Sequence, residues 1–176
     1  AKNQPMWRIL PEFCQKYPRY EKMGLADLCQ HLHALYAKYD IARLTTEMYL
    51  SDLTPAMKPS DAYAHIAHRK TERVEIDELE GRITVGLVTP YPPGIPLLIP
   101  GEVFNKKIVD YLKFSREFNT QCPGFESDIH GLVEIEGEDG KMHYYADCVA
   151  TPKPETAVVP GRMVQVGNTG PYRRTI

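Results

Sequence analysis

The sequence lacks most of the features that announce a function class. It has no apolar run approaching the roughly 18–20 residues of a membrane span, so no membrane partner is expected. The first residues, AKNQPMW, carry no apolar h-region and read as no secretory signal. Net charge is only −2 and the pI about 6.3, which leaves no electrostatic footprint for nucleic acid. Four cysteines (Cys14, Cys29, Cys122 and Cys148) lie far apart with no C-x-x-C pair, in a chain of 176 residues that can hold a core without staples. Reduced thiols in a cytoplasmic protein are therefore expected. There is no G-x-S-x-G, no P-loop, no G-x-G-x-x-G and no internal repeat. An initiating methionine is also missing, and the abrupt start reads as a mature form or an excised fragment.

Proline, by contrast, is concentrated. Five of the fifteen prolines (Pro90, Pro92, Pro93, Pro96 and Pro100) fall in TPYPPGIPLLIPGE, residues 89–102, interleaved with Ile95, Leu97, Leu98 and Ile99. Each proline fixes φ near −65° and pushes its predecessor out of the α region, so this arm is stiff and extended. Pro93-Gly94 suits a type II turn. Ile95 to Ile99 would bury readily, which places the arm under or between other elements. It is either a rigid connector or a surface that completes a pocket.

Elsewhere the pattern is ordinary. Residues 1–22 set Pro5, Pro11 and Pro18 among aromatic side chains and read as a linker or docking segment, with one helical turn from Pro11 to Lys16. Leu25, Leu28, Leu32, Leu35, Tyr36 and Tyr39 recur at helical steps, and Ile41 to Leu53 continues as a second helix with Asp40 at its N-cap. Pro59 at a first helical position opens another helix to about His68. From Thr71 the signal turns to strand at Arg73–Ile76, then a polar turn at 77–81 and a β-rich run, Arg82 to Val88, feeding the arm. Phe104 to Phe118 is an amphipathic helix ending near Pro123-Gly124, with Phe104, Ile108, Tyr111, Leu112 and Ser115 on its apolar face. Leu132–Glu136, the turn 137–140 and Lys141–Val149 form a β-hairpin. Residues 151–176 read as a flexible tail and 23–150 as the domain proper. The order implies an α+β fold: N-terminal helices, short strands with the proline arm, one amphipathic helix and a C-terminal β-hairpin.

No complete active site is visible. His65 and His68, and His31 and His33, are close pairs without a third ligand, so no metal site is expected. Cys29 with His33 can form a helical Cys/His pair or simply pack. Glu75, Asp77, Glu78 and Glu80 read as a solvated turn rather than a carboxylate dyad. The stretch CPGFESDIHG, residues 122–131, carries two acids and a histidine in a glycine-bounded loop. It is either a connector or a charged surface beside the arm, one that would attract a basic, polyamine-like molecule.

GRITVGLVTPYPPGIPLLIPGE at 81–102 and PGFESDIHG at 123–131 closely resemble the C-terminal domain of the bacterial ornithine/lysine/arginine decarboxylases, pyridoxal-phosphate enzymes of fold type I. LPEFCQKYPRYEKMGLADLCQHLHALYAKYD at 10–40 resembles the linker and first helix after that family's cofactor domain, and PSDAYAHI at 59–66 its next helix. Lys58 departs from the pattern, standing where the family commonly has a cap-forming residue such as Thr.

The resemblance implies the rest. The whole enzyme would convert arginine, lysine or ornithine to the amine plus CO2, with the cofactor as electron sink. The Schiff-base lysine of that family lies in a Ser-x-His-Lys context in the preceding domain, and no lysine here stands in one, so no catalytic and no cofactor-binding residue is assigned to this chain and the fragment alone is expected to be inactive. Its implied role is to pack on the cofactor domain and shape the approach to the active site, with Tyr91, Glu102, Glu126 and Asp128 as candidates for the rim. Implied partners are its own N-terminal cofactor domain and a second subunit, in a homodimer or a decamer serving acid resistance or polyamine synthesis. The rival reading is a free-standing protein-interaction module using the proline arm, and the greasy Ile95, Leu97, Leu98 and Ile99 argue against it.

Overall fold

The structure, a computed structural model, describes residues 3–151. The reading of 151–176 as a tail falls, Thr151 apart, outside the described residues.

The chain opens with two short helices, α1 (Met6–Ile9) and α2 (Pro11–Lys16), and Pro11 stands at the first position of α2, where no N–H is needed. The next helix, α3 (Leu25–Lys38), begins after Gly24, which has no side chain with which to cap it. The cap comes from upstream: Ala26 N donates to Asn3 Oδ1 at 2.9 Å, while Gly24 N donates to Asp27 Oδ2 at 2.8 Å. Helix α4 (Ile41–Leu50) follows at once. Its expected Asp40 cap is not formed, because Asp40 is left-handed at φ 47° rather than extended, and its carboxylate instead meets Arg43 at 2.9 Å. Helix α5 (Pro59–Ala67) starts without a side-chain cap from Lys58.

Strand β1 (Thr71–Glu75) leads into a 3-10 turn at Ile76–Glu78, where the acidic run lies. After β2 (Thr89–Tyr91) come helix α6 (Lys106–Gln121), β3 (Asp128–His130), β4 (Leu132–Glu136) and β5 (Met142–Val149). β4 and β5 are the expected hairpin, with Leu132 opposite Ala146. β5 also pairs with β1, Glu75 lying opposite Tyr145, to give an antiparallel sheet in the order β1-β5-β4. Along β5, Tyr144, Ala146 and Cys148 alternate into the core, as a sheet with one covered face requires.

Arg82 to Val88 does not form the regular strand its composition suggests. It runs antiparallel to the return leg of the arm in constant register, with Ile83 opposite Val103 and Val88 opposite Leu98, but only as isolated bridges. The reason is chemical: Pro96 and Pro100 on that leg have no N–H to donate, so the ladder is broken between the surviving bonds. The arm is thus a hairpin of its own. Its tip is a five-residue turn rather than a type II turn, closed by Gly94 N donating to Pro90 O at 2.8 Å, and Gly94 takes φ +83°. Burial is divided as well: Leu97 and Leu98 are in the core, whereas Ile95 and Ile99 are exposed, against the expectation that all would be covered.

Helix α6 is the element on which the others converge. Ile108, Tyr111, Leu112 and Ser115 are buried, as the sequence implies, and Asn119 extends the stripe by one more turn. Val109, Phe114 and Phe118 are buried too, on a flank the amphipathic reading leaves out. That flank meets the helical layer: Tyr36 stacks on Phe118 at 5.8 Å and Tyr39 meets Phe114 edge-on at 5.4 Å. Asn105 caps α6, accepting from Ile108 N at 3.0 Å. A second, smaller cluster joins Met6, Cys14, Tyr20 and Leu28 of the N-terminal segment, with Phe125 packed against it.

Candidate functional site

The two sequence-specific stretches meet. β2, within the arm, pairs with β3, within the 122–131 loop, so that Tyr91 lies opposite Asp128 and Thr89 opposite His130. The His130 ring stands edge-on to Tyr91 with centroids 6.2 Å apart, and His130 Nε2 is 3.4 Å from Asp128 Oδ2. Glu126 lies two residues before Asp128, its carboxylate accepting from Gly124 N at 2.8 Å. Three of the four rim candidates, Tyr91, Glu126 and Asp128, therefore share one end of the molecule's arm–loop junction. Glu102 is elsewhere: it stands on the return leg, opposite Pro55, and accepts from Ile99 N at 2.8 Å.

Most of the loop's remaining side chains are committed to the fold. Asn119 Nδ2 donates to Ser127 O and Ser127 N donates to Asn119 Oδ1, each at 3.0 Å, so one amide of α6 brackets the loop's main chain. The hydroxyls of Ser115 and Ser127 lie 3.1 Å apart. Tyr20 OH donates to Pro123 O at 2.9 Å, and Phe125 sits 5.1 Å from Phe13 in an aromatic cluster. At Gly131, φ is +97° and an added Cβ would stand 1.9 Å from Leu87 O, so only glycine lets the loop cross the arm here. Asn119, Ser127 and Tyr20 were absent from the sequence-based site, though Asn119 continues the buried stripe of α6 and so carried a signal.

Beside the junction, a groove of ≈ 770 Å³ runs between α6 and the β4–β5 hairpin, with Arg116, Asn119, Glu126, Glu134, His143 and Tyr144 among its walls. Arg116 Nη1 lies 2.7 Å from Asp77 Oδ2, and this bond, with Lys113 at 3.2 Å, holds the Asp77 carboxyl below its ordinary value. Glu134 is shifted the other way: partial burial raises its pKa, and the charges of Asp128 and Glu126 add to the rise. No basic side chain stands within 4.0 Å of Glu134 among the described residues, so the groove presents acid at the end nearest the junction. Such a wall attracts ammonium groups.

His65 lies on α5 and His68 at its C-cap, and His31 and His33 lie on α3, but among the described residues no three His, Cys, Asp or Glu side chains are placed to hold a metal. Cys14, Cys122 and Cys148 are buried and Cys29 is exposed, all as free thiols. A Schiff-base lysine is enclosed and kept from its full charge by its surroundings. The described lysines do not fit that role. Lys107 and Lys113, the two that are not fully exposed, are paired with Glu47 and Asp77. Among these residues no helix is long and apolar enough to cross a membrane.

Comparison with known proteins gives a consistent answer. Residues 42–150 match the family described as Orn/Lys/Arg decarboxylase, C-terminal domain. The chain is 41% identical over 151 residues to lysine decarboxylase LdcA of Pseudomonas aeruginosa, covering 84% of this chain and 20% of that protein. It is 33% identical over 146 residues to the constitutive ornithine decarboxylase of Escherichia coli, covering 81% of this chain and 20% of that protein. The solved structure of lysine decarboxylase A from Pseudomonas aeruginosa superposes with a TM-score of 0.76 at 41% identity, over 84% of this chain and 20% of that one. The chain thus spans about a fifth of the length of the relatives it matches. With its fold and its sequence in agreement, the chain belongs to the family of Orn/Lys/Arg decarboxylase C-terminal domains.

Proposed function

We propose that this chain serves as the C-terminal domain of a cytoplasmic, pyridoxal-phosphate-dependent decarboxylase of a basic amino acid, docking on the cofactor domain through the outer face of its proline arm. The observation that carries this reading is the arm's divided burial. Leu97 and Leu98 anchor it in the core, while Tyr91 at 61% and Ile95 at 53% exposure face outward. Tyr49 OH donates to Ile95 O at 3.3 Å, which brings the end of α4 beside the tip of the arm. Exposed apolar side chains grouped at one tip mark a surface for a partner to cover.

The acids beside that face give the domain a part in substrate approach. Tyr91, Asp128 and Glu126 stand at the rim of the covered surface, where carboxylates draw a substrate that carries a second ammonium group. Glu102 supports this rim indirectly, by holding the return leg through Ile99 N. Chemistry at the reacting carbon belongs to the cofactor and its lysine in the larger domain. Which of the three amino acids is taken depends on groups in the larger domain, because lysine, arginine and ornithine enzymes match this chain at overlapping identities.

The test uses the full-length enzyme. Replacing Ile95 and Ile99 together by Asp should abolish assembly and decarboxylation of the basic amino acid while leaving the fold of the 176-residue chain intact. Unchanged assembly and activity would refute the docking role and favour a free-standing interaction module that uses the same face. Rates with lysine, ornithine and arginine decide the substrate.

A further inference from the structure

His143, on β5, is placed between two carboxylates from different parts of the chain. Its Nδ1 lies 2.9 Å from Glu75 Oε1 at the end of β1, and its Nε2 lies 3.3 Å from Asp139 Oδ1 in the β4–β5 turn. A neutral imidazole has one N–H and one lone pair, so it can donate to only one of them and must set its lone pair against the other. The imidazolium donates to both. We propose that His143 is a proton-operated staple: when charged it ties the β4–β5 turn to β1 and fixes the hairpin wall of the groove, and when neutral it releases the turn.

The surroundings define what the ring senses. Asp139 Oδ1 also accepts from Lys141 N at 3.1 Å, and Lys141 Nζ is 3.8 Å from Asp139 Oδ2, so the turn has its own cation but an exposed one. On its own strand His143 stacks on Tyr145 with centroids 6.5 Å apart. Across the groove stand Arg116, held by Asp77, and Glu117 on α6, and Glu134 lies on the adjoining strand β4. Glu75 is the larger and Asp139 the second influence raising the ring's pKa, against a small opposing effect of burial. Linkage then fixes the sign. A histidine whose folded pKa lies above its unfolded value contributes stability that is complete below the unfolded value and is lost as pH rises through the folded one. The turn is therefore locked on the acid side and freed on the basic side, and its opening constant rises by the factor by which the two carboxylates raise the ring's proton affinity. This device is independent of the decarboxylase reading, because it needs only the hairpin, β1 and α6.

Two measurements on the 176-residue chain test it. By NMR, the ring resonance that disappears in His143→Gln should titrate above the ordinary histidine value, and Glu75→Gln and Asp139→Asn should each lower it. Amide exchange at Gly140 and Lys141, corrected for base catalysis, should step up through the same pH range, and the step should vanish in His143→Gln. An unshifted ring, a ring indifferent to both carboxylate variants, or a step that persists in His143→Gln would each overturn the proposal.

Discussion

The arm at 89–102 and the loop at 122–131 are equally distinctive as strings, but the fold uses them differently. In the loop, Phe125, Ser127 and Ile129 turn inward, and Asn119 and Tyr20 grip its main chain from two other elements. In the arm, Leu97 and Leu98 do the same work while Tyr91, Ile95 and Ile99 keep much of their surface exposed. A motif can thus be specific because the fold needs it or because something outside the fold does. The loop belongs mainly to the first kind, and the arm is divided between both.

Substitutions can break that contrast. Within the arm, Leu98→Ala should destabilise the chain by about 2–5 kcal/mol, as truncation of a fully buried leucine does, whereas Ile95→Ala should stay within about 0.5 kcal/mol. Urea unfolding of the two variants measures the difference, and equal losses would mean that the arm's outer face is packed in the chain alone. In the loop, Gly131→Ala combines a positive φ with an overlap on Leu87 O and should cost about 3 kcal/mol by the same measurement. Asn119→Ala leaves Ser127 N and O without their partner and should cost about 1–3 kcal/mol.

The smallest expected effect has the opposite sign. Glu134 has a raised pKa in the folded chain, from partial burial first and then Asp128 and Glu126, so its ionisation opposes folding at neutral pH. That penalty is complete above the folded pKa and disappears as pH falls below the unfolded value. Glu134→Gln should therefore raise stability at pH 7 by less than about 1 kcal/mol, since the side chain is partly solvated, and the gain should be gone in acid. A loss at pH 7 would mean that the groove supplies Glu134 with a cation.

Much of this architecture was legible in the sequence because its periodicities are long. Helices α3, α4 and α6 and strand β5 each repeat their pattern over enough residues to reveal a buried face, and α5 announces itself by Pro59 at its first position. What was not legible is short or chemically interrupted. β3 has three residues, too few to show alternation, and so the loop's pairing with the arm could not be read. The run from Arg82 to Val88 has the composition of a strand, but the prolines that break its ladder stand on the opposite leg. At the site, the acids were found by charge, whereas His143 was overlooked because its partners, Glu75 and Asp139, come together only when β1 pairs with β5. Glu102 and Tyr91 belong to one string, yet the hairpin sends one to the base of the arm and the other to its tip.

The prolines of the arm have a consequence for how this chain behaves in company. An exposed apolar hairpin would ordinarily invite further strands, because its edge offers free N–H and C=O groups to any neighbour. Here Pro92, Pro93 and Pro96 at the tip, and Pro100 on the return leg, offer no donors, so a neighbouring chain finds a greasy surface without a template to extend. Association through the arm is thereby restricted to partners that match its shape side on, and indefinite strand-by-strand growth is blocked at the place where exposed Ile95 and Ile99 would otherwise encourage it.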